Sequence, residues 1–437
     1  MVQRPDTAGT PWLSVSQASP TTATVTTRRG AHRPAIRGPL RGRLRRAGVG
    51  RAPGRAVVTE PRVVATVCRV TVVPPLLPGI AATSVRTPRL TQQVLHPDAV
   101  DPRGGGEAVL FVHGNVSSSV FWQRALLDLP ADRRPLAVDL RGFGGTDPEP
   151  VDASRGVRDW SDDVAELVIE LGLERVHLVG WSMGGGVVLQ LLLDHRERVA
   201  SVTLVAPVSP YGFGGTTGLE GELVHPDGTG SGGGAANPDF VAALAAGDTT
   251  ADAPTSPRSI LRAFYLAPDA LPLDPATEDA FVASMLTTRT GVDHYPGDAT
   301  PSDQWPGAAP GARGVLNTMA PTVLDVSGIT ELAVKPPVLW VRGDADQVVS
   351  DTSAFDLAFL GSLGAVPGWP GVDAFPPQPM VGQTRAVLDR YAASGGAYRE
   401  VVLPDVGHSP HVERPAEFVA VLVEHLTTPP AEPAGLT

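Results

Sequence analysis

From about Val85 onward, short apolar segments alternate along the chain with segments of helical spacing. Each apolar segment holds four to six mostly β-branched or leucine residues and ends in turn-forming residues. Segments this apolar are typical of strands covered on both faces, as in a parallel sheet. Six strands are predicted, within EAVLFVHGN (107–115), PLAVDLRG (135–142), RVHLVGWS (175–182), VASVTLVAP (199–207), PPVLWVRGDAD (336–346) and YREVVLPDVGH (398–408).

Two of the intervening segments have the spacing of amphipathic helices, DWSDDVAELVIELG (159–172) and MGGGVVLQLLLDHRERV (183–199). Ser161 is a suitable N-cap for the first helix, because Asp162 and Asp163 follow it. The alternation of strand and helix predicts an α/β fold with a doubly wound, mostly parallel sheet.

The alternation stops between Val208 and Lys335. This stretch begins with a glycine-rich loop and continues with helical patterns at about 240–247, 256–266 and 276–289. We therefore expect a helical cap, residues 208–335, inserted into a core formed by residues 81–207 and 336–437.

The N-terminal part of the chain has a different composition. Residues 1–70 contain thirteen arginines against Asp6 and Glu60, although the whole chain has a net charge of −11. Without aromatic residues or a sustained helical period in its arginine-rich part, residues 1–80 are predicted to be a disordered extension. We expect no nucleic-acid partner. The alternative, a nucleic-acid-binding protein, predicts salt-sensitive binding that is lost when residues 1–80 are deleted.

The single cysteine, Cys68, excludes an internal disulfide framework and a cysteine-based metal site. No apolar region of the required length follows Met1, and residues 63–83 are interrupted by Arg69 and three prolines. Neither a signal peptide nor a membrane span is predicted, so a cytoplasmic protein without a membrane partner is expected. The oligomeric state is not predicted.

The segment GWSMG sets Ser182 between two glycines. In a chain with 48 glycines among 437 residues this match alone is weak. Its position is more informative, because Ser182 falls between a strand and a helix, where Gly180 and Gly184 permit a sharp turn. A serine hydroxyl needs a histidine base and an acid to become a nucleophile.

Both partners are available after later strands. His408 follows the last strand, and Asp344 and Asp346 follow the strand before it. Serine, aspartate and histidine at the C-terminal ends of three parallel strands share one edge of the sheet. Asp346 is the preferred acid because it lies further into its loop, whereas Asp344 is expected to brace the turn. His411 competes with His408 but is expected to be a surface or loop residue.

An attacked carbonyl also needs hydrogen-bond donors for its developing negative charge. The backbone N–H groups of Met183 and Asn115 are candidates for this oxyanion hole. His113, in the same HGN turn as Asn115, is either a second base or a buried imidazole that braces the loop, and the structural role is favoured.

Five motifs together resemble the α/β-hydrolase superfamily: HGN (113–115), DLRGFGGT (139–146), GWSMGG (180–185), RGDADQVV (342–349) and GHSPHVERP (407–415). The resemblance implies the α/β-hydrolase fold and mainly structural roles for Asp139 and Arg141. It also implies that Ser182 is the nucleophile, His408 the base and Asp346 the acid. Asn115 and Met183 would then form the oxyanion hole.

The segment HGNVSSSVFW is also similar to the loop of haloalkane dehalogenases in which an asparagine and a tryptophan hold a halide. Those enzymes use an aspartate nucleophile, whereas this chain has Ser182. Phe121 and Trp122 are therefore expected in the core or in a pocket wall.

These observations predict a serine hydrolase that acts on a small-molecule carboxylic ester through an acyl-enzyme. Such chemistry requires no metal and no cofactor, and the cap would determine selectivity. Other reactions of the same triad stay open: lactone, thioester or amide hydrolysis, carbon–carbon bond hydrolysis and cofactor-free perhydrolysis. A non-catalytic ligand receptor is the alternative from a different functional class.

Overall fold

The computed structural model describes residues 73–427. The arginine-rich extension predicted for residues 1–80 lies outside this range except for its last eight residues, as does Cys68.

Fourteen strands occur in the described residues, and eight of them form one sheet. The strands are β1 Ile80–Arg86, β2 Thr91–Pro97, β3 Glu107–Val112, β4 Arg133–Val138, β5 Val176–Trp181, β6 Val199–Val205, β7 Thr216–Thr217, β8 Glu222–Leu223, β9 Thr290–Gly291, β10 Tyr295–Pro296, β11 Ala299–Pro301, β12 Ala308–Pro310, β13 Val338–Gly343 and β14 Tyr398–Leu403.

The main sheet has the strand order β1-β2-β4-β3-β5-β6-β13-β14. All pairs from β4 to β14 are parallel, whereas β1 and β2 form an antiparallel edge. The six predicted strands are the six parallel ones, and β3 to β6 are almost wholly buried. The predicted α/β fold with a mostly parallel sheet is therefore confirmed.

Helices cover the sheet in two pairs, as a doubly wound architecture requires. Helix α3 packs on β5 and β6 and contacts α2, while α1 contacts α10, which in turn contacts β13. The helices are α1 Gln123–Asp128, α2 Arg158–Glu170, α3 Met183–Asp194, α4 Pro238–Ala246, α5 Pro257–Ile260, α6 Pro275–Met285, α7 Leu357–Ser362, α8 Met380–Ala393, α9 Pro410–Glu413 and α10 Pro415–Thr427.

The chain between β6 and β13 contains α4, α5 and α6 together with three short two-stranded ladders. Each of these helices has a proline in its first turn and a side-chain N-cap, from Asn237, Ser256 and Asp274 respectively. Helix α5 continues into a π-helical turn, Leu261–Tyr265. These helices correspond to the three helical patterns of the sequence.

The N-cap assigned to Ser161 is wrong. Helix α2 begins at Arg158, so Ser161 lies inside it and is buried. The chain enters the helix through Gly156, whose φ of +60° reverses its direction. At this position an added Cβ would lie 2.7 Å from the carbonyl oxygen of Val323, so only glycine fits.

Among the helices of residues 73–427, none combines the length and the apolar character needed to cross a membrane.

Candidate active site

Ser182 lies on a tight turn between β5 and α3. Its φ of 54° and ψ of −121° are unfavourable for a residue with a side chain. The turn is possible because its flanks are glycines. A Cβ on Gly180 would lie 2.4 Å from the carbonyl oxygen of Gly184, and one on Gly184 would lie 2.5 Å from that of Val112.

Backbone hydrogen bonds hold this turn in place. The N–H of Ser182 donates to the carbonyl oxygen of Val205 at 2.9 Å, at the end of β6. The carbonyl oxygen of Ser182 accepts from Gly185 and Val208 at 2.8 and 3.0 Å. The strained serine is therefore fixed to the C-terminal edge of the sheet.

His408 and Asp346 form a buried pair at the same edge. The Nδ1 atom of His408 lies 2.9 Å from Oδ2 of Asp346, and both side chains are 3% exposed. The other carboxylate oxygen of Asp346 accepts from the backbone N–H groups of Val348 and Val349. A carboxylate at Nδ1 favours the tautomer that carries its proton there, which leaves Nε2 as an acceptor.

Asp344 has a different environment from Asp346. It is exposed, and its carboxylate accepts from the backbone N–H of Asp405 at 2.7 Å. It thus links the turn after β13 to the loop after β14, as expected for a bracing residue.

His411 is not the surface or loop residue expected from the sequence. It lies in α9, is 2% exposed, and its ring centroid is 4.0 Å from that of Trp122. Burial lowers the pKa of its imidazole well below the usual range, and the neighbouring His408 lowers it further. Neither ring nitrogen has a hydrogen-bond partner among residues 73–427. His411 is therefore a neutral packing residue.

His113 is fully buried in the loop after β3. Its Nε2 atom accepts from the backbone N–H of Leu140 at 3.0 Å, and its Nδ1 atom lies 2.7 Å from the carbonyl oxygen of Gly114. Burial lowers the pKa of this histidine. These contacts fit the bracing role favoured from the sequence.

Both predicted oxyanion donors belong to segments next to the serine. Met183 is the first residue of α3, and Asn115 follows Gly114, where an added Cβ would lie 3.0 Å from Cβ of Ser182. Within residues 73–427 neither backbone N–H donates a hydrogen bond. Both groups are therefore available to a ligand oxygen next to Ser182.

A cavity of about 990 Å³, including its mouth, lies beside Ser182, and Met183 is not among its lining residues. Ser182, His408 and Asn115 line it, but Asp346 lies behind His408 and does not. Apart from His408, no lining side chain can carry a charge near neutral pH. Most of the remaining wall is apolar: Val116, Trp181, Val208, Phe213, Phe240, Ile260, Leu316, Met319, Val348, Val349 and Phe355.

The family model of the α/β hydrolase fold matches residues 107–364, more than half of the chain. The chain belongs to the α/β hydrolase family.

Matches to curated proteins cover much less of this α/β hydrolase. It is 42% identical over 112 residues to the putative carbamate hydrolase RutD of Variovorax paradoxus, which is 25% of this chain and 41% of that protein. It is 41% identical over 111 residues to the dihydrolipoyllysine-residue acetyltransferase component of the acetoin cleaving system of Cupriavidus necator, 25% of this chain and 28% of that protein. The chain thus spans less than half the length of either relative.

Among solved structures, the esterase EaEST from Exiguobacterium antarcticum is 16% identical, with a TM-score of 0.49. The superposition covers 80% of this chain and 100% of the esterase.

The charged residues of DLRG hold neighbouring loops and helix α2 together. The carboxylate of Asp139 accepts from the backbone N–H groups of Ser119 and Gly145. Arg141 forms a two-pronged ion pair with Asp163 in α2. Phe121 and Trp122 belong to the hydrophobic core, and neither lines the cavity.

Trp181 takes part in the site although sequence patterns gave it no role. Its Nε1 donates to the carbonyl oxygen of His408 at 2.8 Å, and the two ring centroids are 5.5 Å apart. This buried side chain therefore orients the histidine loop. Its position next to Ser182 was visible in the sequence, but its partner lies 227 residues further along the chain.

Tyr265 is the second side chain that the sequence did not indicate. It lies at the end of the π-helical turn after α5, and its hydroxyl donates to the carbonyl oxygens of Asn115 and Val116 at 3.0 and 3.1 Å. Val116, the residue after Asn115 in this loop, has a φ of +47°, so the backbone of the loop is strained at this point. The insertion thus supports the loop that carries one candidate oxyanion donor.

In the part of the chain that the structure describes, no three histidine, cysteine or acidic residues gather in a way that could hold a metal ion.

Proposed function

We propose that this α/β hydrolase cleaves carboxylic esters of small, uncharged, largely apolar molecules. The observation that carries the proposal is the 2.9 Å contact between His408 and Asp346, with His408 facing the cavity that Ser182 also lines. Serine on a strained turn, histidine and buried aspartate are the three groups that nucleophilic acyl transfer requires.

In the proposed acylation step, Oγ of Ser182 attacks the carbonyl carbon of the ester while its proton passes to Nε2 of His408. The carbonyl oxygen becomes an oxyanion that accepts from the N–H groups of Asn115 and Met183. The carbon–oxygen bond to the alcohol then breaks, and the alcohol leaves with the proton from Nε2.

Deacylation repeats these events with water. His408 takes a proton from a water molecule as its oxygen attacks the acyl carbon, and the bond to Oγ breaks to release the acid. The proton returns to Ser182. The side chain of Asp346 stabilises the imidazolium in both steps.

The walls of the cavity support an uncharged substrate. A charged group placed against an apolar wall without a partner would lose its hydration at a cost of several kcal/mol. We infer that residues 208–335 form a cap that selects the acyl and alcohol parts, because they contribute more than half of the lining.

Turnover of p-nitrophenyl esters from acetate to dodecanoate tests the proposal, together with labelling by a fluorophosphonate. Ser182→Ala should lower kcat by at least about 10³-fold and abolish labelling, because the nucleophile is lost. The matched control is Ser362→Ala, whose exposed hydroxyl bonds only the carbonyl oxygen of Phe359.

Three outcomes separate the alternatives. A folded wild type that shows neither turnover nor labelling contradicts the hydrolase proposal and favours a ligand receptor. Full activity in Ser182→Ala contradicts the assignment of the nucleophile. Labelling of Ser182 without ester turnover directs the search to lactones, thioesters, amides or carbon–carbon bonds.

A further inference from the structure

Four side chains with a hydroxyl group line the cavity. They differ in whether the hydroxyl already donates a hydrogen bond within the protein. Ser182 is the proposed nucleophile. Ser231 donates to the carbonyl oxygen of Gly228 at 2.6 Å, and Tyr265 donates to the loop of Asn115. Tyr295 is the fourth, and no residue between 73 and 427 hydrogen-bonds its hydroxyl.

Burial, a backbone hydrogen bond and ring packing hold Tyr295 in place. The residue is 4% exposed, its backbone N–H donates to the carbonyl oxygen of Arg289 at 3.0 Å, and its ring packs edge-on against Phe240. Burial raises the pKa of the phenol, so it stays protonated and can donate. The cavity therefore presents a fixed donor in a mainly apolar wall.

A donor of this kind discriminates between ligands more strongly than apolar contacts do. A buried hydroxyl without a partner is costly, so a ligand that offers an acceptor gains relative to one that does not. The candidate donors for the scissile carbonyl oxygen are the backbone N–H groups of Asn115 and Met183. Tyr295 is thus available for a substrate atom other than the scissile carbonyl oxygen.

We propose that the Tyr295 hydroxyl donates a hydrogen bond to a second oxygen of the substrate, and so selects uncharged esters with an ether, hydroxyl or carbonyl oxygen in the acyl or alcohol part. The inference rests on the proposed ester hydrolysis at Ser182. It defines the substrate class more narrowly, as oxygen-bearing rather than purely hydrocarbon esters.

Matched fluorophosphonate probes test this without knowledge of the natural substrate. In one series the variable chain is bonded to phosphorus through carbon, so that it takes the place of the acyl chain. In the other series the chain is bonded through the alkoxy oxygen. In each series, probes that carry one ether oxygen at successive chain positions are each compared with the all-carbon probe of equal length. Labelling forms the Oγ–P bond of Ser182 and expels fluoride, and its second-order rate constant is measured.

The wild type should label about five- to tenfold faster with the ether probe than with its carbon partner at one oxygen position in one series. That series identifies whether the acyl or the alcohol part is recognised. Tyr295→Phe should remove this preference, so that the ether probe labels no faster than its all-carbon partner in that variant. Tyr265→Phe is the matched comparison: it should slow all probes alike, through the oxyanion loop, and keep the ether preference.

The inference is wrong if the wild type prefers no ether probe in either series, a result that needs no variant to fold. It is also wrong if folded Tyr295→Phe keeps the preference. Failure of every probe to label Ser182 contradicts instead the proposed function, and with it the inference that depends on it.

Discussion

At the scale of single residues, the two aspartates after β13 show how a small difference in position separates two roles. Asp346 is buried against His408, whereas Asp344 is exposed and holds the backbone of Asp405. Only Asp346 can stabilise a positive charge on the imidazole.

Asp346→Asn should lower kcat by about 10³- to 10⁴-fold, because a neutral amide neither stabilises the imidazolium nor enforces the required tautomer. Asp344→Asn should change kcat less than about threefold. Steady-state kinetics on one p-nitrophenyl ester compares the two variants. Equal losses in both would remove the assignment of Asp346 as the acid.

The positions of Ser182, Asp346 and His408 were predictable because each follows an apolar strand, and the ends of parallel strands share an edge. The roles of Trp181 and Tyr265 were not. Each depends on a hydrogen bond to a backbone carbonyl oxygen far away in the sequence, which no local pattern encodes. His411 was misjudged for a similar reason, since its burial comes from Trp122 and Trp181.

At the scale of elements, the six parallel strands were predictable from the sequence, whereas the antiparallel strands β1 and β2 were not. The parallel strands β3 to β6 are almost wholly buried, whereas in β1, with the sequence IAATSVR, only Ile80 and Val85 are buried. Such a strand resembles a loop until its antiparallel partner β2 is known.

Helix α7 contains a buried ionisable N-cap. Asp356 is 2% exposed, and its carboxylate accepts from the backbone N–H groups of Ala358 and Gln378. Desolvation nevertheless raises its pKa to about 6. Because this is above the unfolded value of about 4, the folded state holds the proton more tightly over that interval.

The stability contributed by protonated Asp356 should be fully present below about pH 4 and lost as the pH rises to about 6. The loss corresponds to about 3 kcal/mol in the free energy of unfolding. The free energy of unfolding of Asp356→Asn, whose side chain cannot titrate, should not show this part of the decrease with pH. Urea unfolding at pH 4 to 7 measures it.

Asp373→Asn, which changes an exposed carboxylate in the following loop, should keep the wild-type pH dependence. Identical slopes for wild type and Asp356→Asn would show that Asp356 does not titrate in this interval.

At the scale of the whole molecule, the sheet and residues 208–335 contribute different parts of the candidate site. Ser182, His408 and Asp346 belong to loops at the end of the sheet, whereas most of the cavity wall comes from residues 208–335. We expect changes in that wall to alter selectivity more than the rate of the chemical steps.

Ala236→Leu adds three carbons to the cavity wall and should shorten the preferred acyl chain by about two to three carbons. The kcat/KM for the chain length preferred by the wild type should fall about 10- to 100-fold. A series of p-nitrophenyl esters measures the shift. Ala245→Leu, on the exposed face of α4, should leave the preferred length unchanged, and an equal shift in both would exclude a specific effect of the wall.

The insertion also determines when the site can exist during folding. It is the connection between the neighbouring strands β6 and β13, and 132 residues separate Val205 from Val338. Closing a connection this long costs about 2 kcal/mol more in chain entropy than the roughly dozen residues that a parallel crossover needs. Ser182 lies before this connection, and Asp346 and His408 lie after it. Six strands can therefore pair while Ser182 still lacks its proposed base, and the proposed site is complete only when the last two strands join the sheet.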